Sequence, residues 1–165
     1  MNTLPTHEPE EPLVEFDPVA GAVTVSGDGL PRVELRRTGG EPDAHTPVGT
    51  RAGDRLTLTV DGEPAVLTVA KGRITRRSYR VDAVLGGVRH RLVPDSLTGS
   101  RLLRDGRRLG TLQCDGDGRV DADWHEDAKV LPLDVSLGYA LAAAFGTGAQ
   151  PMWVTAMEMG AELLN

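Results

Sequence analysis

The chain has 165 residues, of which 39% are hydrophobic and 25% are charged, and its formal net charge is −6. This length and composition suit one globular domain with a real hydrophobic core, and they exclude an intrinsically disordered chain. The single cysteine, Cys114, excludes an internal disulfide framework, and the sequence has no cysteine pattern of the kind that holds zinc.

The charges are unevenly distributed along the chain. Residues 1–50 carry nine acidic and three basic side chains, residues 51–108 carry six and thirteen, and residues 109–165 carry nine and two. A basic middle between acidic ends predicts either an anion site or strands whose charges pair with one another. Sixteen of the eighteen basic residues are arginine, beside abundant Ala, Gly and Asp. Because this usage is typical of a GC-rich, bacterial genome, arginine content alone does not decide between the two.

The N-terminal stretch MNTLPTHEPEEP has neither the basic nor the apolar region of a signal peptide. It predicts a disordered acidic arm over residues 1–12, followed by one domain over residues 13–165. A cytoplasmic location is the expectation that follows.

Period-two alternation of apolar and polar residues runs from about residue 13 to residue 130. In RVELRR, for example, Val33 and Leu35 share one face, and similar stretches are AVTVS, RLTLTV, PAVLTVA, VRHRLV, SRLLRD, RRLGTLQC and RVDADW. Asp61-Gly62 and Asp105-Gly106 are hairpin signals. About ten strands joined by turns predict an antiparallel barrel or sandwich. The longest loop, 38–54, is more simply a surface excursion than a lid.

After Pro132 the period changes, and LDVSLGYALAAAF is apolar on nearly every side of a helical wheel. Asp134 can cap this helix, which we expect over residues 134–146, and a second helix is expected over 151–164. A helix that is apolar all round is either buried or in a membrane. The apolar part before Gly146 has about a dozen residues, whereas a bilayer needs roughly 20. The sequence therefore favours a buried helix over a transmembrane one.

About ten to twelve short strands followed by an apolar C-terminal helix resemble the Tubby C-terminal-like superfamily, which includes LURP-one-related proteins and phospholipid scramblases. The resemblance covers roughly residues 13–146 and includes the stretches YRVDAVLGGVRHRLVPDS and LLRDGRRLGTLQ. It implies a mainly β fold in which a closed antiparallel barrel of about 10–12 strands surrounds the hydrophobic helix. The chain departs from the usual ending by continuing through PMWVTAMEMGAELLN.

The sequence offers little support for catalysis or metal binding. The acidic stretch CDGDGRVDADWHED fails as an EF-hand loop, since aligning Gly118 at the sixth position puts Gln113 first and Trp124 last. DGDG is better explained as a hairpin turn. His90 alternates with apolar neighbours and is expected to be a hydrogen-bonded histidine of the core. We predict no catalytic residue, no metal ligand and no cofactor.

One group of residues suggests binding. Six arginines lie on what should be neighbouring strands, and together they could hold a phosphate or another anion: Arg73, Arg76, Arg77, Arg80, Arg89 and Arg91. The alternative is a solvated face whose arginines pair with Asp82, Asp95 and the acidic ends of the chain. Nucleic acid is not expected as a partner, because the pI is 5.2 and no aromatic residues lie between the arginines.

The expected function is therefore a non-enzymatic binding or scaffold protein of LURP-one-like type, which recognises a lipid headgroup, another anion or a protein partner. A small β-barrel enzyme or accessory protein of bacterial specialised metabolism is the alternative. A third possibility is a structural subunit that forms a homodimer, or binds another protein, through the Met- and Trp-bearing segment 151–164.

Overall fold

The structure is a computed structural model that describes residues 11–38, 55–70, 80–95, 99–114 and 118–147. In these ranges it contains ten β-strands and one α-helix. The strands are β1 (Leu13–Asp17), β2 (Ala22–Ser26), β3 (Val33–Arg37), β4 (Leu56–Val60), β5 (Glu63–Val69), β6 (Val81–Leu85), β7 (Val88–Pro94), β8 (Gly99–Arg104), β9 (Arg107–Cys114) and β10 (Val120–Trp124). The helix is α1 (Pro132–Phe145).

The strands form one antiparallel meander in which each strand pairs with its neighbour in the chain, in the order β1 to β10. The two predicted hairpin turns are confirmed at Asp61-Gly62 and Asp105-Gly106. In each turn the aspartate has a φ of 48° and the glycine a φ of 83°. Positive φ at both central residues gives the backbone twist that matches the twist of the flanking strands, and Asp-Gly tolerates it well.

The alternation along the strands separates a core face from an outer face. In β3, Val33 and Leu35 are fully buried while Arg36 is exposed. The partners on the neighbouring strands continue the same row, since Leu35 pairs with Val23 of β2 and with Leu58 of β4. An antiparallel sheet with one face in solvent requires this alternation of apolar and polar residues. The apolar rows pack with α1 in a single hydrophobic core.

Helix α1 is buried on all sides, as its apolar circumference predicts. Every residue from Asp134 to Phe145 is buried, and the helix contacts both halves of the meander, namely β1 to β3 and β7 to β10. It begins two residues earlier than expected, because Pro132 is accommodated at the first position, where its missing N–H costs nothing. It ends at Phe145, before Gly146, whose φ is 73°.

The expected closed barrel is wrong. Among the described residues, β1 and β10 pair with β2 and β9 only, so no hydrogen-bonded ladder joins the two ends of the sheet. At one end of this seam the backbone of Gly118 lies on the side chain of Phe16, where an added Cβ would be 2.6 Å from the Phe16 Cβ. Side-chain packing takes the place of a backbone ladder there, so the sheet wraps the helix without closing.

Three further expectations lie outside the described residues. They are the acidic arm as far as residue 10, the 39–54 part of the long loop, and the second helix over 151–164. Within the ranges that the structure does describe, no helix is long and apolar enough to cross a bilayer.

Candidate functional site

The structure describes half of the predicted arginine cluster. Arg73, Arg76 and Arg77 lie outside the described residues. Arg80 immediately precedes β6 and is exposed. Arg89 and Arg91 lie on β7 on either side of buried His90, so strand alternation directs them to the outer face of the sheet.

Arg89 and Arg91 line the same surface cleft. It has a volume of about 440 Å³ and is formed on the outer face of β6, β7 and β8. Val84 and Leu103 contribute apolar surface, and the β6–β7 and β8–β9 turns contribute Gly87 and the pair Asp105-Gly106. The cleft therefore combines apolar side chains with two guanidinium groups.

The two arginines of this cleft differ in their partners. Arg91 makes a bidentate ion pair with Asp82, its cross-strand neighbour, with Nε–Oδ1 and Nη2–Oδ2 distances of 2.6 and 2.9 Å. The hydrogen bond to Asp82 raises the pKa of Arg91 above its ordinary value. The charge of Arg91 is thus largely neutralised within the protein, which is what the alternative of paired strand charges predicts.

Arg89 differs in that its side chain is exposed and has no hydrogen-bond or ion-pair partner among the described residues. Its backbone is fixed instead, since its N–H donates to Asp105 Oδ1 at 3.0 Å and its carbonyl accepts from the Asp105 N–H at 2.9 Å. A rigid backbone and an uncommitted guanidinium suit the binding of an anion from solvent.

A further arginine, which was not among the predicted ones, lies in the same row. Arg91 pairs across the sheet with Leu103 of β8, and Leu103 pairs with Arg108 of β9, which is exposed. Only the register, which includes an irregularity between Leu102 and Leu103, brings Arg108 into this row. No signal in the sequence fixes that irregularity.

The expectation that His90 is a hydrogen-bonded core residue is confirmed. His90 is 1% exposed, and its Nε2 lies 2.6 Å from Oδ1 of Asp134 in the first turn of α1. Because an ionised Asp134 only accepts hydrogen bonds, Nε2 carries the hydrogen. Arg104 donates to the other carboxylate oxygen and also to the Lys129 carbonyl at 3.2 Å. The Leu131 N–H donates to Oδ2 of Asp134, the carboxylate oxygen that Arg104 also contacts, at 2.7 Å.

This buried cluster joins the first turn of α1 to strands β7 and β8. Nδ1 of His90 has no hydrogen-bond partner among the described residues. Asp134 is completely buried. The cluster therefore acts as a polar anchor for the N-terminal end of the helix.

The described ranges contain no group of three or more His, Cys, Asp or Glu side chains placed to hold an ion. Cys114 is buried and packs in the core.

Comparison of the chain with known protein families, with curated proteins and with solved structures gave no match.

Proposed function

We propose that this chain is a non-enzymatic binding protein of LURP-one-like type that recognises an anionic, phosphate-like group. The observation that carries the proposal is that Arg89 and Arg91 line one outer cleft, with the Arg89 guanidinium left without a partner among the described residues. An arginine offers two parallel N–H donors to a phosphate, which a lysine does not.

The apolar side chains of the cleft favour a ligand whose anionic group is attached to a hydrocarbon part. Val84 and Leu103 line the cleft, and Val84 pairs with Val66 of β5, which is 65% exposed. A lipid headgroup and a free organic phosphate share this chemistry. The buried helix supports the LURP-one-like proposal only through architecture, and the sheet that surrounds it is open.

The experiment compares two probes on the full chain. A titration with inorganic phosphate, followed by NMR, tests whether the protein binds a free anion. Flotation with vesicles of phosphatidylcholine and phosphatidylserine, set against pure phosphatidylcholine, tests a lipid surface. Arg89→Gln is expected to weaken phosphate binding about tenfold, in line with the loss of one charge-assisted pair. If a lipid surface is the source, the same variant releases the protein from the anionic vesicles.

Arg36→Gln is the matched control. Arg36 is exposed on β3, away from the strands that form the cleft, and this substitution changes the net charge by the same amount. The proposal requires Arg36→Gln to bind like the wild type. Equal losses in the two variants, or no binding of either probe to the wild type, would contradict it.

A further inference from the structure

A second cleft lies along the seam between the first and last strands. It also has a volume of about 440 Å³, which is within the roughly 300–1,000 Å³ range of small-molecule sites. Its walls carry the apolar side chains of Val14 and Val120. Its polar groups come from Glu11, Arg119, Asp121 and Tyr139. The cleft exists because the sheet stays open here, so it follows from the unpaired ends of the meander.

Tyr139 points to a ligand in this seam cleft. It belongs to the central helix, is 6% exposed, and lines the cleft that the strands leave open. Its hydroxyl has no hydrogen-bond partner anywhere in the part of the chain that the structure describes. The side chain is nine-tenths buried, but it borders the cleft, so its hydroxyl is open to a hydrogen-bond partner there. A ligand in the cleft can therefore supply the partner that the protein does not.

The charges around the seam cleft determine which ligand suits it. Glu11 and Asp121 are exposed carboxylates at the cleft. Burial raises the pKa of Tyr139, and the negative charges of Glu11 and Asp121 raise it further. Two carboxylates and one guanidinium thus line the cleft around the hydroxyl, so acidic groups outnumber basic ones there. In such surroundings a cationic hydrogen-bond donor is favoured and an anion is disfavoured.

We propose that the seam cleft binds a small organic amine in its ammonium form. The ammonium group donates hydrogen bonds to the Tyr139 hydroxyl and to the carboxylates of Glu11 and Asp121. The hydrocarbon part lies against Val14 and Val120. This site is distinct from the arginine cleft on β6 to β8, and neither proposal depends on the other.

The test uses the full chain labelled with 3-fluorotyrosine. The sequence has two tyrosines, and the Tyr79→Phe variant leaves only the fluorine signal of Tyr139. Titration with hexylammonium is expected to give a saturable shift of that signal. Hexanoate, which has the same chain length and the opposite charge, is expected to give none.

Two pairs of variants locate the site. Asp121→Asn and Glu11→Gln are each expected to weaken hexylammonium binding about tenfold, through the loss of a charge-assisted hydrogen bond. Asp123→Asn and Glu15→Gln are the controls, since Asp123 and Glu15 are exposed on β10 and β1 and do not line the cleft. Both controls should bind like the wild type.

The proposal is overturned if hexylammonium gives no saturable shift or if hexanoate gives an equal shift. Equal weakening in the control variants would overturn it too, since that result indicates general surface attraction. An equal response to Ca²⁺ at the same concentration would also count against it, because a metal ion needs only the oxygens and not the apolar walls.

Discussion

Replacement of Asp134 by alanine tests how much of the fold depends on the polar cluster at the start of the helix. The carboxylate is completely buried and accepts from His90, Arg104 and the Leu131 N–H. Asp134→Ala leaves the His90 N–H and the Leu131 N–H without an acceptor, at about 1–3 kcal/mol each. The loss of the carboxylate costs less at Arg104, because its side chain is 22% exposed and still donates to the Lys129 carbonyl.

The expected loss in the free energy of unfolding is about 3–5 kcal/mol, the cost of breaking a buried charge pair from one side. Asp134→Asn should cost less, since its amide oxygen can still accept from Arg104 and Leu131. Urea denaturation can be followed by the fluorescence of Trp124, whose ring lies beside Gly138 of the helix, in a Trp153→Phe background. A loss below about 1 kcal/mol in Asp134→Ala would refute this account of the cluster.

Three other predictions concern the helix and the strands around it. Leu137→Ala should lower the free energy of unfolding by about 2–5 kcal/mol in urea denaturation, because Leu137 is completely buried on the helix; a loss under 1 kcal/mol would argue against close packing there. Gly110→Ala should cost about 1–3 kcal/mol by the same measurement, since its Cβ would lie 2.5 Å from the Asp123 carbonyl oxygen, and an unchanged midpoint would contradict the close approach of β9 and β10. The raised pKa of Tyr139 means that the folded protein holds this proton more tightly than the unfolded chain. The neutral Tyr139 hydroxyl therefore contributes its full share of stability below the ordinary pKa of 10.0, and this share falls as the pH rises above that value. Tyr139→Phe has no such proton to lose, so its free energy of unfolding, measured by urea denaturation, should decline less at high pH.

The strands and the buried helix could be predicted because one local pattern specifies each of them. Alternation in RVELRR directs Val33 and Leu35 inward, and the structure buries both completely. The all-round apolar circumference of the helix left only a core or a membrane as its surroundings, and its length decided between them. Such patterns depend on burial alone, which the sequence of a single element already specifies.

Closure of the sheet and the content of the clefts could not be predicted, because they depend on how distant residues meet. Whether β1 pairs with β10 depends on geometry accumulated over ten strands, and no residue of either strand encodes it. The ion pair of Arg91 follows from the register between β6 and β7, which places Asp82 opposite Arg91 and Val84 opposite Arg89. The sequence could supply the arginines as candidates, but only the register shows which of them has a carboxylate as its cross-strand neighbour.

A helix that is apolar on every side has no hydrophobic preference for one rotation about its axis, so packing alone specifies its position weakly. Polar contacts at its two ends supply that information. At the start, Asp134 binds His90 of β7; just past the end, the Thr147 hydroxyl accepts from the Cys114 N–H of β9 at 2.7 Å.

The Thr147 carbonyl accepts from buried Ser100 of β8 as well. Each of these groups is buried, so a helix that slid or rotated would leave several of them unpaired at about 1–3 kcal/mol each. The apolar surface drives burial of the helix, and the buried polar ends determine where it stops. In the position that these contacts hold, Tyr139 is the residue of the helix that lines the seam cleft among the described residues.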